Sequence, residues 1–177
     1  MTYIMNNQID WSDVVNSISN TEGEVRTIGE NFYTNSDGKF NQILNLWNNA
    51  GYKKQHVEWI NYYPNTHFDD TITKKFSDLV SAAHIRSWIS CVRPGKSAPW
   101  HQDIDDNMES YLPLGKLVRY TCHITEPHLG QIMLIEKTAY YMTPYNTIIK
   151  WPSIEAWHGA SNCGFENQYL YHFLGYE

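Results

Sequence analysis

The chain has 177 residues, 42% of them hydrophobic and 15% aromatic, and a formal charge of -6. That is enough apolar material for one domain with a real core, 1–177, and too little length to suggest two. The negative balance argues against a general nucleic-acid binder that works by neutralising phosphates, and the absence of a basic leader or of roughly eighteen consecutive apolar residues leads us to expect a soluble cytoplasmic protein without a membrane span.

The first half, 1–82, reads as a preface of helices and one strand. Asp10 is placed to cap a helix through about Asn20, with Trp11, Val14, Val15 and Ile18 at helical spacing. A second helix from about Asp37 aligns Phe40, Ile43, Leu44 and Trp47 and stops at Gly51. Gln55 to Tyr63 reads as a strand ended by Pro64, and Asp70 then caps a third helix through about Ser81 whose apolar face is Ile72, Phe76, Leu79 and Val80.

From Ala83 the pattern changes to short β-prone runs separated by turn signals. The expected strands are Ala83 to Arg93, Pro99 to Ile104, Lys116 to Thr125, Gln131 to Glu136, Ala139 to Met142, Thr147 to Trp151, Ala156 to Ser161 and Gln168 to Gly175. Eight such strands after a helical preface predict a mostly β protein with flanking helices: a jelly roll, or double-stranded β-helix, of cupin-like form, with its core in 83–176. Cys91, Cys122 and Cys163 are widely spaced without a Cys-x-x-Cys, so buried thiols are expected rather than disulfides or structural zinc.

Three His-x-acid triplets occur: His56-x-Glu58, His67-x-Asp69 and His101-x-Asp103. With 8 His and 19 acids about one would arise by chance, so context has to choose among them. The first sits in the preface as a solvated polar face, and the second precedes a helix, where Asp69 or Asp70 serves better as a cap. His101-x-Asp103 follows a Pro-Gly turn and places an imidazole and a carboxylate two apart, on one face of a strand. His158, in Trp-His-Gly on the seventh expected strand, can be brought beside it by jelly-roll closure. Two imidazoles and one carboxylate on one face of an octahedron leave three adjacent positions open, the requirement of non-haem Fe(II), whereas structural zinc wants a fourth protein ligand and catalytic zinc a tetrahedral site.

The run Pro-Gly-x-x-x-Pro-Trp-His-x-Asp, an Arg-bearing strand, a Gly-Gln turn and Trp-His-Gly-x-x-Asn before a terminal aromatic strand resembles the Fe(II)/2-oxoglutarate dioxygenase superfamily. The likeness spans about residues 83 to 176 and is nearest to small aspartyl/asparaginyl- or prolyl-hydroxylase-like members, including phage-borne ones. It implies His101, Asp103 and His158 as Fe(II) ligands, 2-oxoglutarate as co-substrate, and hydroxylation of a C–H bond in a peptide residue or small molecule. Its core motif is shared with other cupin-like metalloproteins, so a metalloenzyme that does not use 2-oxoglutarate and a non-catalytic jelly-roll binding module stay open as alternatives.

Members of that superfamily commonly hold the far carboxylate of 2-oxoglutarate with an Arg or Lys on the last strand, and Asn167 to His172 contains neither. Alternation along Lys116 to His123 puts Arg119, Thr121 and His123 on one face, making Arg119 the expected anchor and Lys116 the second choice. Gln168 offers an uncharged alternative, on the same face of the last strand as Leu170 and His172. His172 itself is expected to be buried on a backbone carbonyl. The acidic loop Ile104 to Ser110 reads as a solvated loop rather than a lid, and Trp100, Trp151 and Trp157 flank the site in sequence as core residues.

Overall fold

A computed structural model describes residues 3–6, 8–28, 39–103 and 108–177. In chain order they form β1 (Tyr3–Asn6), α1 (Ser12–Ser19), β2 (Glu24–Thr27), α2 (Lys39–Asn49), β3 (Glu58–Tyr62), α3 (Thr71–Val80), β4 (Ala83–Val92), β5 (Lys96–His101), α4 (Met108–Tyr111), β6 (Leu117–His123), β7 (Gln131–Ile135), β8 (Thr138–Tyr141), β9 (Thr147–Lys150), β10 (His158–Asn162) and β11 (Gln168–Tyr176). All eight strands expected after Ala83 are present. The start of the second helix at Asp37, and the first part of the acidic loop, lie outside the described residues.

The strands make two sheets, one ordered β1-β9-β6-β11-β4-β3-β2 and the other β5-β10-β7-β8. Every pairing between these strands is antiparallel, and the fold is a mostly β jelly roll. Alternation decides which sheet face each side chain takes. On β11, Tyr169, Tyr171 and Phe173 point outward into a core completed by Trp11, just before α1, Ile18 of α1 and Phe76 of α3. Leu170, His172 and Leu174 point the other way and line a cavity between the sheets. Helices α1 and α3 therefore cover the outer face of the larger sheet, while α2 packs Ile43 and Trp47 beside β5, and the inner face of the larger sheet is left to line the cavity with polar and apolar groups together.

Local chemistry explains most boundaries and corrects several. Helix α1 begins after Asp10, whose Oδ1 accepts from the backbone N–H of Ser12 at 3.0 Å, and it buries Val14 and Ile18, one turn apart. At α3 the capping carboxylate is Asp69, not Asp70: Asp69 Oδ1 accepts from the Thr71 N–H at 2.7 Å, while Asp70 makes no side-chain cap bond. The helix ends where Ser81 turns left-handed (φ 54°) and donates its N–H to Asp78. Gly51, at φ +82°, ends α2 in the same way.

The expected strand Gln55 to Tyr63 begins later, at Glu58, because Lys54–His56 form a 3-10 turn. Two four-residue strands, β1 and β2, were not anticipated; both are edge strands of the larger sheet. Cys91 and Cys122 are buried as expected, Cys163 is exposed instead, and no disulfide joins them. Among the described residues no helix is long and apolar enough to cross a membrane.

Candidate metal centre

Strands β5 and β10 are neighbours, and their register sets His158 directly opposite His101. The two ring centroids are 4.2 Å apart. Strand β5 occupies Lys96–His101 rather than Pro99 to Ile104, so Asp103 lies beyond the strand end and not at a same-face i, i+2 position. The physical reason is a bulge. His158 faces His101 but Ala160 faces Ala98, so Pro99 and Trp100 bow out and the chain leaves the sheet after His101.

Asp103 nevertheless comes back to the histidines. Its Oδ1 is 3.5 Å from His101 Nε2, and its Oδ2 is 3.7 Å from His158 Nε2. One ligand atom from each of His101, Asp103 and His158 lies within 4.8 Å of the others. Both rings are oriented from behind: His101 Nδ1 lies 2.6 Å from the carbonyl of Pro99, and His158 Nδ1 lies 3.0 Å from that of Ala156. A carbonyl accepts only, so each Nδ1 carries a proton and each Nε2 is the ring atom turned toward Asp103. Burial first, and the neighbouring His101 second, hold the His158 imidazole well below its ordinary value, which keeps it neutral. This donor set suits a divalent cation.

Aromatic rings fix the imidazoles in place. Trp59 stacks on His101 with centroids 5.5 Å apart, and Trp151 meets His158 edge-on at 4.6 Å. Arg119, 4% exposed, reaches across from β6 in the other sheet, and its Nη1 is 2.6 Å from Asp103 Oδ2. Its guanidinium lies 3.7 Å from the centre of the Trp151 ring. Burial alone would raise the Asp103 carboxyl; the Arg119 guanidinium, then His158 and His101, outweigh it and hold the group well below the usual carboxylate range.

The remaining candidates fall into separate places. Arg119 lines the cavity with the three proposed ligands. Lys116 does not: its side chain is 75% exposed and pairs with Glu177 at 3.7 Å. Gln168 is buried on the inward face of β11, beyond the cavity lining, and its amide has no partner among the described residues. His172 does line the cavity, held by hydroxyls rather than a backbone carbonyl, with Nε2 2.8 Å from Ser90 Oγ and Nδ1 3.1 Å from Thr121 Oγ1. Trp151 is a cavity wall, whereas Trp100 and Trp157 stack on each other at 6.3 Å and are not part of it.

The other two His-x-acid pairs are engaged elsewhere. Glu58 takes Arg93 at 2.6 Å, and His67 Nδ1 accepts the Tyr63 N–H at 2.9 Å. Trp59, Trp88 and Arg86 are cavity residues that the sequence reading missed. The available signal was alternation, which places Trp59, Asn61 and Tyr63 on one face of the strand ending at Tyr63 and Arg86, Trp88 and Ser90 on one face of β4.

Buried histidines also set an acid limit on stability. Burial lowers His123, on the inward face of β6, to about 4. In the unfolded chain such a ring titrates near 6.5, so between these values the unfolded state binds the extra proton. The stabilisation is complete above pH 6.5 and is lost as pH falls toward 4. Urea unfolding at pH 7 and pH 5 is expected to show the native protein losing about 2 kcal/mol more than a His123→Phe variant over that interval.

No family profile matches the chain, and no curated protein does. Several solved structures are similar to the chain at low identity. A prolyl hydroxylase from Trichoplax adhaerens, in complex with a hypoxia inducible factor peptide fragment, is 11% identical with a TM-score of 0.48, covering 93% of this chain and 88% of that one. The viral collagen prolyl hydroxylase of Paramecium bursaria Chlorella virus-1 is 15% identical with a TM-score of 0.47, covering 90% and 98%. A putative sugar phosphate isomerase from Acidithiobacillus ferrooxidans is 14% identical with a TM-score of 0.37, covering 68% of this chain and only 60% of its own.

Proposed function

We propose that the protein is an Fe(II)- and 2-oxoglutarate-dependent oxygenase that hydroxylates a C–H bond of a small molecule or peptide residue. The observation that carries this reading is the convergence of the His101 and His158 Nε2 atoms with the Asp103 carboxylate, with both Nδ1 protons tied to backbone carbonyls. His101, Asp103 and His158 would hold the metal on one side and leave adjacent positions open. When bound, the Fe(II) would supply the one-electron chemistry that activates dioxygen.

The chain's own residues account for positioning. Arg119 keeps Asp103 ionised and oriented as a ligand, and its guanidinium would also meet the far carboxylate of 2-oxoglutarate, the role the last strand leaves without a base. Ser90 and Thr121 hold the His172 ring in the cavity wall, where it stacks on Trp88 at 5.0 Å. Overall, one oxygen atom would enter the substrate C–H bond and the other would appear in succinate, with release of carbon dioxide.

Calorimetric titration tests the reading. Mn(II), a redox-stable stand-in, should bind the native protein, and 2-oxoglutarate should bind only once the metal is in place. The lack of Arg or Lys on β11, where Gln168 and His172 stand instead, favours a second reading: a metalloenzyme of the same centre without a keto-acid co-substrate. Metal binding with no metal-dependent uptake of 2-oxoglutarate would select it.

A further inference from the structure

Among the described residues the cavity lining contains three guanidiniums, Arg26, Arg86 and Arg119, against a single carboxylate, Asp103. Two of these cations have acid partners: Arg119 has Asp103 at 2.6 Å, and Arg26 has Glu24 at 2.8 Å. Arg86 differs. No acid among the described residues lies within ion-pair distance of it, and its recorded neighbours are the faces of Trp88, 5.6 Å from ring centre to guanidinium carbon, and Tyr63, 6.0 Å. It is exposed yet lines the cavity, so it stands where the cavity opens to solvent.

Contact with two aromatic faces orients a guanidinium while leaving its in-plane N–H groups available, and that fork matches a carboxylate or phosphate. In a protein with a net charge of -6 an anion gains little from the general field, so a local cation at the cavity mouth has to draw it in. We infer that the cavity takes a small-molecule substrate bearing an acidic group, a carboxylate or a phosphate, which Arg86 receives at the entrance. This rests on the oxygenase reading: there the combined charge of a divalent metal and Arg119 is matched by Asp103 and the two carboxylates of 2-oxoglutarate, which leaves Arg86 for the substrate. Beside it, Tyr63 accepts from Arg26 Nη2 at 3.3 Å, which holds one of the two rings that Arg86 lies against.

The test uses Zn(II)-loaded protein saturated with N-oxalylglycine, a stable analogue of the keto acid, and saturation-transfer NMR with matched probes: benzoate against benzamide, hexanoate against hexanamide, phenyl phosphate against phenol. Acids should bind at least about tenfold more tightly than their neutral counterparts. Arg86→Gln should bring that ratio close to one, and Arg86→Lys should retain part of it; because Arg86 is exposed, near-UV circular dichroism should show both variants folded. The carboxylate and phosphate arms distinguish the two acid types. Equal binding of acids and neutral probes, no binding by any acid, or an undiminished preference in Arg86→Gln overturns the proposal. So does displacement of the acids by N-oxalylglycine, which would assign Arg86 to the co-substrate. Failure of N-oxalylglycine itself to bind defeats the co-substrate reading instead, and the same panel without it still judges Arg86.

Discussion

Asp103→Ala is expected to lower Mn(II) affinity at least about a hundredfold and to abolish metal-dependent formation of succinate from 2-oxoglutarate. Loss of an orienting neighbour of a metal ligand commonly costs ten- to a hundredfold, and here a proposed ligand itself is removed. The carboxylate also has a structural partner. Arg119 is 4% exposed and contributes its Nη1 to Asp103 at 2.6 Å, so the substitution leaves a buried cation whose remaining recorded neighbours include the Trp151 and Trp88 rings. Breaking a fully enclosed pair costs roughly 3–5 kcal/mol, and because Asp103 keeps 27% of its side-chain exposure about 2 kcal/mol is the better figure. Urea unfolding without metal would read that part. Asp103→Asn separates the effects: it keeps shape and hydrogen bonding but not charge, so most metal affinity should be lost while more of the fold's stability is retained. Metal binding and succinate formation unchanged in Asp103→Ala would refute the assignment of this centre.

What could be read from the amino-acid order was whatever repeats every two residues or lies close along the chain. The division of the last strand into Tyr169, Tyr171 and Phe173 on one side and Gln168, Leu170 and His172 on the other follows from the pleat, and the folded chain uses it as expected. The same rule found the Arg119, Thr121 and His123 face. It failed where the backbone leaves regular geometry. Alternation alone puts Asp103 on a strand with His101, yet β5 carries a bulge at Pro99 and Trp100 and ends at His101, and Asp103 meets the histidines from the segment beyond it. Contacts between sheets were equally invisible. The pairing of Arg119 with Asp103 and the stacking of Trp59 on His101 join residues far apart in the chain, and no local pattern encodes them.

The glycine of Trp-His-Gly gives the second large effect. A β-carbon added at Gly159 would lie 2.9 Å from the carbonyl oxygen of Ala98 and 3.2 Å from both the Pro99 carbonyl carbon and the Trp100 nitrogen. All three are backbone atoms of β5, so no side chain can swing aside, and β10 has to move away from β5. That contact is what sets His158 opposite His101, with Pro99 also supplying the carbonyl that orients the His101 ring. Gly159→Ala is therefore expected to cost about 1–3 kcal/mol of stability through overpacking. It should also weaken Mn(II) binding about ten- to a hundredfold, although no ligand has been changed. Gly51→Ala supplies the comparison. Its φ of +82° strains any side chain, but nothing lies within 4 Å of the added carbon, and it ends α2 rather than either strand of the centre. It should cost about 1 kcal/mol and leave metal affinity untouched. Equal metal affinities for the two variants would mean that strand spacing at Gly159 does not govern the centre, whereas a loss confined to Gly159→Ala ties the motif's third residue to the approach of the two imidazoles.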